Sequence, residues 1–192
     1  MRAPLTATRA LDIAGATAAL ALAAPVLAAA ALAIRLRDGA PVLFRQQRLG
    51  RARRPFTIVK LRTMTAAGHA TPLGAVLRNL GVDELPQLFN VLRGDMALVG
   101  PRPLTSADVR RVGWDAPRFD ARWLVSPGLT GPAQIASPRR CVPKLSWRLD
   151  ARYVRRRSLA VDLRVLAASL LVPLLGKRRA RVVLRALQRK LP

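Results

Sequence analysis

DELPQLFNVLRGDMALVGPRPL, from Asp83 to Leu104, holds the chain's only glutamate beside an aspartate, a third carboxylate at Asp95, and an arginine set between prolines in Pro101-Arg102-Pro103. The chain has 10 acidic residues against 34 basic ones, so this clustering asks for a chemical explanation. Leu85, Leu88, Phe89 and Leu92 fall at i, i+3, i+4 and i+7, which predicts one buried face of a helix. Pro86 is tolerated only in the first turn and Gly94 suits the position just past the end, so the helix is expected from about Glu84 to Leu92. Asp83 and Glu84 then sit at its N-terminus. Free backbone N–H groups and the helix dipole there stabilise an ionised carboxylate and attract phosphate. Two adjacent acids on a first turn point in different directions and can divide labour, one attacking while the other holds a metal such as Mg²⁺. An ordinary N-cap role for Asp83 stays open beside that reading. Pro101 and Pro103 restrict the backbone around Arg102. A guanidinium so held suits bidentate recognition of phosphate, with plain exposure in a turn as the alternative.

The totals narrow the classes. The 192 residues suffice for one domain and an appendage. A net charge of +24, almost all of it arginine, draws the chain to anionic surfaces, whether nucleic acid, lipid headgroups or phosphorylated small substrates. One cysteine, Cys141, excludes an internal disulfide, and one histidine, His69, provides neither a zinc ligand set nor a serine-histidine pair. Carboxylate chemistry remains. Aromatic residues make up only 4%, few stacking surfaces for a nucleic-acid binder, and no nucleic-acid motif is present.

From Ile13 to Ile34 there is no charged residue, a run of roughly 22 residues that is long enough to cross a bilayer as a helix. A cleavable signal peptide, a transmembrane anchor and a re-entrant helical hairpin all fit its composition. Charge symmetry favours the hairpin: Arg2 and Arg9 precede the run and Arg35, Arg37, Arg45 and Arg48 follow it, so both ends prefer the cytoplasmic side. Pro25 marks the bend. Asp12 is expected at a helix N-terminus near the headgroups, as a favourable anion or simple cap.

Val42-Leu43-Phe44 and Pro55 to Leu61 flank Gly50-Arg51 and read as a small β-hairpin. Arg45, Arg48, Arg51, Arg53 and Arg54 cluster on it as a solvated or headgroup-facing set. Lys60 and Arg62 alternate with Leu61 and are candidates for a phosphate-binding cleft. A loop over 64–72 and a short helix from Gly74 to Asn79 come next. Beyond the central segment, 105–122 is charged and helical or irregular, and Ser126 to Pro132 is a dense run of turn formers. Val165 to Leu175 reads as a core or interfacial helix, and the basic stretch Arg178 to Lys190 as interfacial.

Read with its flanks, the central segment resembles the bacterial sugar transferases, also called monotopic phosphoglycosyl transferases. The matching pieces stand in family order: Arg9 to Asp12, Gly39 to Phe44, Lys60 to Met64, Asp83 to Gln87, Gly94 to Met96, Val99 to Leu104, and Pro127 to Gln134. The resemblance implies an α+β, mainly helical fold: a re-entrant membrane helical hairpin over 1–38, and a catalytic domain over 39–192 with a small β-hairpin and basic interfacial helices. It implies transfer of a sugar-1-phosphate from a UDP-sugar to a polyprenyl phosphate on the cytoplasmic face of a bacterial inner membrane. Asp83 would be the nucleophile and Glu84 the Mg²⁺ ligand, with Lys60, Arg62, Arg78, Asp95 and Arg102 binding substrate. The expected partners are UDP-sugar, polyprenyl phosphate and the bilayer, not nucleic acid, with room for a homodimer. The chain departs from the family pattern in having Ala24 before Pro25, a short stretch between Met64 and Asp83, Gly131-Pro132-Ala133-Gln134, and a divergent tract over 132–147. A non-catalytic basic scaffold at a membrane surface, or a nucleic-acid-binding protein, is the alternative.

Overall fold

Alanine and leucine are strong helix formers, and the run they dominate folds as one helix, α1, Leu5–Arg37, in the computed structural model, which describes residues 5–136 and 143–171. The chain stays helical through Pro25, where a break into two arms was expected. A proline costs a long Ala/Leu helix one backbone hydrogen bond and about 3 kcal/mol, which the flanking turns absorb. Asp12 is not at the N-terminus, because Leu5 to Leu11 are already helical. Its Oδ1 instead accepts from Leu98 N at 2.8 Å. Two separated parts of α1 pack on the rest of the chain. Ala16, flanked by Ala19 and Leu20, enters the main core, whereas Leu27, Ala30 and Ile34 enter a second cluster. Between them the helix is largely bare, with Leu22 81% exposed. Among the described residues α1 is the one helix long and apolar enough to cross a membrane.

The β-hairpin forms as expected, β1 (Leu43–Leu49) pairing antiparallel with β2 (Pro55–Leu61). Opposed residues share a face, so Phe44 with Lys60, Gln46 with Ile58 and Arg48 with Phe56 lie on one side, and Leu43 with Leu61 on the other. Ile58 joins the main core with Leu88, Val91, Met96 and Leu98, while Leu61 joins Ala30, Ile34 and Leu77. The hairpin thus contributes to both clusters that the two packed parts of α1 enter.

Helix α2 (Pro72–Leu80) is capped by Thr71 and ends at Gly81, whose φ of 73° is the left-handed conformation that glycine adopts without strain. The segment expected as one helix is instead a 3-10 stretch, Val82–Gln87, running into a short α3, Leu88–Arg93. Residues three apart eclipse in a 3-10 turn, so Asp83 and Pro86 are buried together, and the α-helical phasing that put Phe89 inside fails. Phe89 is 52% exposed; Leu88 and Val91 fill the core. Gly94 terminates α3 in the left-handed conformation, as expected.

The apolar stretch after Asp95 is β3 (Ala97–Val99), which pairs in parallel with β4 (Gly128–Thr130), part of a run read only as turns. Glycines make that pairing fit: a Cβ at Gly128 would lie 2.0 Å from Gly100 N. Between them lie α4 (Ser106–Val112), with a Thr105/Asp108 capping box, and a 3-10 segment, Pro117–Leu124. Trp114 and Trp123 with Leu104 and Val109 form a satellite core, against which Phe119 and Trp147 pack. The short α5 (Pro132–Ala136), α6 (Pro143–Arg156) and α7 (159–171) close the main core through Ile135, Tyr153, Val161, Val165 and Ala168. The basic stretch 178–190 and the tract 137–142 lie outside the described residues.

Candidate active site

A cleft of about 870 Å³ opens between the β-hairpin, the loop over 63–70, α2 and the start of the 3-10 stretch. Asp83, Glu84, Lys60, Arg62, Arg78 and Arg102 all border it, so six of the residues singled out from the sequence converge on one concavity. Asp95 does not: its Oδ2 accepts from Asn90 Nδ2 at 3.2 Å, and Asn90 is tied to Thr57 O and Val59 N of β2. That carboxylate braces the end of α3 against the hairpin. Arg62 borders the cleft, but its guanidinium turns back to the carbonyls of Asp38 (2.6 Å) and Gly39 (2.7 Å), fastening the chain just beyond α1.

The two adjacent acids have different surroundings. Lys60 Nζ donates to Glu84 Oε1 at 2.5 Å, and Arg102 Nη2 stands 3.8 Å from the same oxygen. Burial works against ionisation of Glu84, but Lys60, Arg102 and Arg48 outweigh it and hold the carboxyl below the usual glutamate range. Asp83 is 8% exposed and has no such ion pair among the described residues. Burial, with the charge of Glu84 added, pushes its carboxyl up; Lys60 and Arg78 pull the other way. One carboxylate is therefore locked in place as an anion. The other is less stabilised as an anion and sits beside cations that would accompany a phosphate.

Among the described residues no cluster of three or more acidic, histidine or cysteine side chains exists to cage a metal. Mg²⁺ is commonly held by one or two carboxylates and completed by substrate phosphate oxygens and water, and the carboxylate of Glu84 fits that mode. Lys60 and Arg102 both approach Oε1 of Glu84.

A model of the family described as bacterial sugar transferase matches residues 4–176, which takes in α1, the cleft and all the residues above. The chain belongs to that family. Among its relatives, a UDP-glucose:undecaprenyl-phosphate glucose-1-phosphate transferase of Caulobacter vibrioides is 42% identical over 82% of this chain and 66% of its own length. The enzyme of the same description from Escherichia coli is 36% identical over 82% of this chain and 38% of its own. A UDP-N-acetylgalactosamine-undecaprenyl-phosphate N-acetylgalactosaminephosphotransferase of Aeromonas hydrophila is 39% identical over 66% of this chain and 33% of its own. This sugar transferase chain thus spans between a third and just under two thirds of the length of these relatives.

Two arginines escaped the sequence reading, one bordering the cleft and one buried outside its lining. Arg48, read as part of a solvated basic cluster, borders the cleft and donates to Pro103 O (3.3 Å) and Asp108 Oδ2 (3.3 Å). Its sequence signal is weak: Gln46 and Arg48 alternate with Arg45 and Gln47, but only the strand register puts them on the face of Lys60. Arg122, inside a charged stretch without regular periodicity, is 2% exposed and gave no signal at all.

Proposed function

We propose that this chain transfers a sugar-1-phosphate from a UDP-sugar to a polyprenyl phosphate at the membrane, as the initiating step of exopolysaccharide, O-antigen or glycoconjugate assembly. The observation that carries this reading is the division between the two acids, with Glu84 fixed by Lys60 and Arg102 while Asp83 lies unpinned in the same cleft.

Asp83 acts as nucleophile. A carboxylate oxygen bonds to the β-phosphorus of the UDP-sugar, the bond from that phosphorus to the bridging oxygen breaks, and UMP leaves with the electron pair. The acyl phosphate so formed carries the sugar. An oxygen of polyprenyl phosphate then bonds to the same phosphorus and the Asp83–phosphorus bond breaks, giving polyprenyl diphosphate sugar and free Asp83. Arg102, Arg78 and Lys60 accompany the phosphate charge, and because they are placed beforehand they cost little reorganisation as it shifts. Glu84 would hold Mg²⁺, which would supply charge neutralisation on the phosphates.

The lipid acceptor explains α1. An exposed apolar surface around Leu22 and Val26 is unfavourable in water and suited to acyl chains. Both flanking parts of the helix pack on one body, through Arg9, Asp12 and Ala16 at one end and Ala30 and Ile34 at the other. That arrangement supports entry and exit on one leaflet, with the domain on the cytoplasmic face.

The test is UMP formation by the full chain in nanodiscs, offered a panel of UDP-sugars with and without polyprenyl phosphate and Mg²⁺. Sustained turnover with at least one sugar, dependent on both additions, is expected. Absence of turnover on every sugar would overturn the reading.

A further inference from the structure

The loop that presents Arg102 is held by four consecutive carbonyls, each gripped from a different place. Pro101 O accepts from Gly128 N at 2.9 Å, and Leu104 O from Leu49 N at 2.8 Å. Arg102 O accepts from Arg122 Nη2 at 2.9 Å, and Pro103 O from Arg48 Nη1 at 3.3 Å. Pro101 and Pro103 have no N–H to offer, so these carbonyls are the loop's main handles. Two of the four grips are arginine side chains, and one of those, Arg122, is buried.

From this we infer that Arg122 is a positioning residue for the anion-binding guanidinium of Arg102, a role that rests on the function proposed above. Arg122 Nη2 bridges Arg102 O and Asp150 Oδ2, the latter at 3.1 Å. Its guanidinium carbon lies 4.8 Å from the ring centres of both Trp114 and Trp123, a flat cation held between two indoles. Replacing such a buried ion pair by apolar side chains is often neutral or stabilising, so global stability gives little reason for it. What the pair adds is a rigid planar donor at one backbone atom. Asp150 and the two tryptophans fix the donor, the donor fixes the Arg102 carbonyl, and the Arg102 side chain, 47% exposed, reaches from that point into the cleft. A displacement of about 1 Å in such a group is enough to cost a large factor in binding or rate.

A thermodynamic cycle on UDP binding to the full chain in detergent, read by titration calorimetry, tests this. Arg122→Gln made together with Asp150→Asn removes the ion pair without stranding a charge. It is expected to weaken UDP binding about tenfold, and to weaken it less than about twofold when Arg102→Ala is already present, because the two sites then act as a unit. A tenfold loss in both backgrounds, or no loss in either, overturns the inference. Should the paired substitution unfold the chain, Arg122→Lys keeps a cation against Asp150 but not the flat donor, and the same cycle is read on it. Wild type that binds UDP but makes no UMP from any UDP-sugar overturns the transfer reaction and leaves the cycle readable; wild type that does not bind UDP overturns both.

Discussion

Lys60 Nζ lies 2.5 Å from Glu84 Oε1, which ties the end of strand β2 to the first turn of the 3-10 stretch and pairs Glu84, whereas its neighbour Asp83 has no ion pair among the described residues. Lys60 also stands among the charges that moderate the raised pKa of Asp83. Its removal by Lys60→Met takes a cation from both acids at once. UMP formation at saturating polyprenyl phosphate is expected to fall about 100-fold, the scale for losing one preorganised charge at a transition state. A rate within a few-fold of wild type would remove Lys60 from the mechanism.

Asp83→Asn tests the nucleophile in two ways. Turnover disappears, because an amide cannot form the acyl phosphate. Stability moves in the opposite direction. Burial raises the Asp83 pKa in the folded chain above its unfolded value, so at neutral pH the ionised carboxylate is less favourable folded than unfolded. The Asn variant should therefore melt higher than wild type at pH 7. The gap should close as the pH falls below about 4, where the unfolded aspartate is protonated too. Thermal melts of both proteins across that range decide it, and equal melting temperatures at pH 7 would contradict the burial argument.

Arg102 requires a guanidinium rather than just a cation if it meets a diphosphate with two parallel donors. Arg102→Lys keeps the charge and should raise the KM for UDP-sugar about tenfold, with a smaller change in kcat, as expected for lost ground-state binding. Steady-state kinetics with the donor varied make the comparison. An unchanged KM would assign Arg102 a screening role only.

Most of the residues that border the cleft were legible in the sequence because they are local. Asp83, Glu84 and Arg102 belong to one segment, whose helical part Pro86 and Gly94 mark out. Lys60 was legible through the two-residue alternation of β2. The misreadings share a cause: they depend on which of two similar backbones the chain takes, or on partners far away in sequence. A 3-10 turn and an α-turn accept the same residues, and the choice reversed the burial of Phe89. Asp95, expected among the substrate-binding residues, lies outside the cleft lining and meets Asn90, which strand β2, some thirty residues away, holds in place. The pairing of β3 with β4 and the grip of Arg122 on Arg102 O span about 30 and 20 residues, which no local pattern encodes.

Asp12 carries the load between α1 and the catalytic segment. Its Oδ1 satisfies the N–H of Leu98, a residue only 7% exposed, while Arg9 donates to Val91 O and Leu92 O at the end of α3. Asp12→Ala strands a buried donor, for which about 1–3 kcal/mol is the usual cost. The melting temperature in detergent should drop accordingly, more than for Thr17→Ala on the exposed part of the same helix. Equal shifts would mean that the contact contributes nothing.

The same contacts bear on how α1 meets the bilayer. A straight 33-residue helix is about 50 Å long, more than the hydrocarbon thickness of about 30 Å, so a spanning orientation would carry its two ends to opposite faces. Yet Arg9 and Asp12 are bound to α3 and β3, and Ile34 is packed against Leu61 and Leu77 of the same body. A spanning α1 would have to break one of those sets; the re-entrant arrangement proposed above breaks neither. Single cysteines at residues 5 and 40, in a Cys141→Ser background, should therefore react with a membrane-impermeant maleimide from the same side in inverted vesicles. Labelling from opposite sides would reject the re-entrant arrangement.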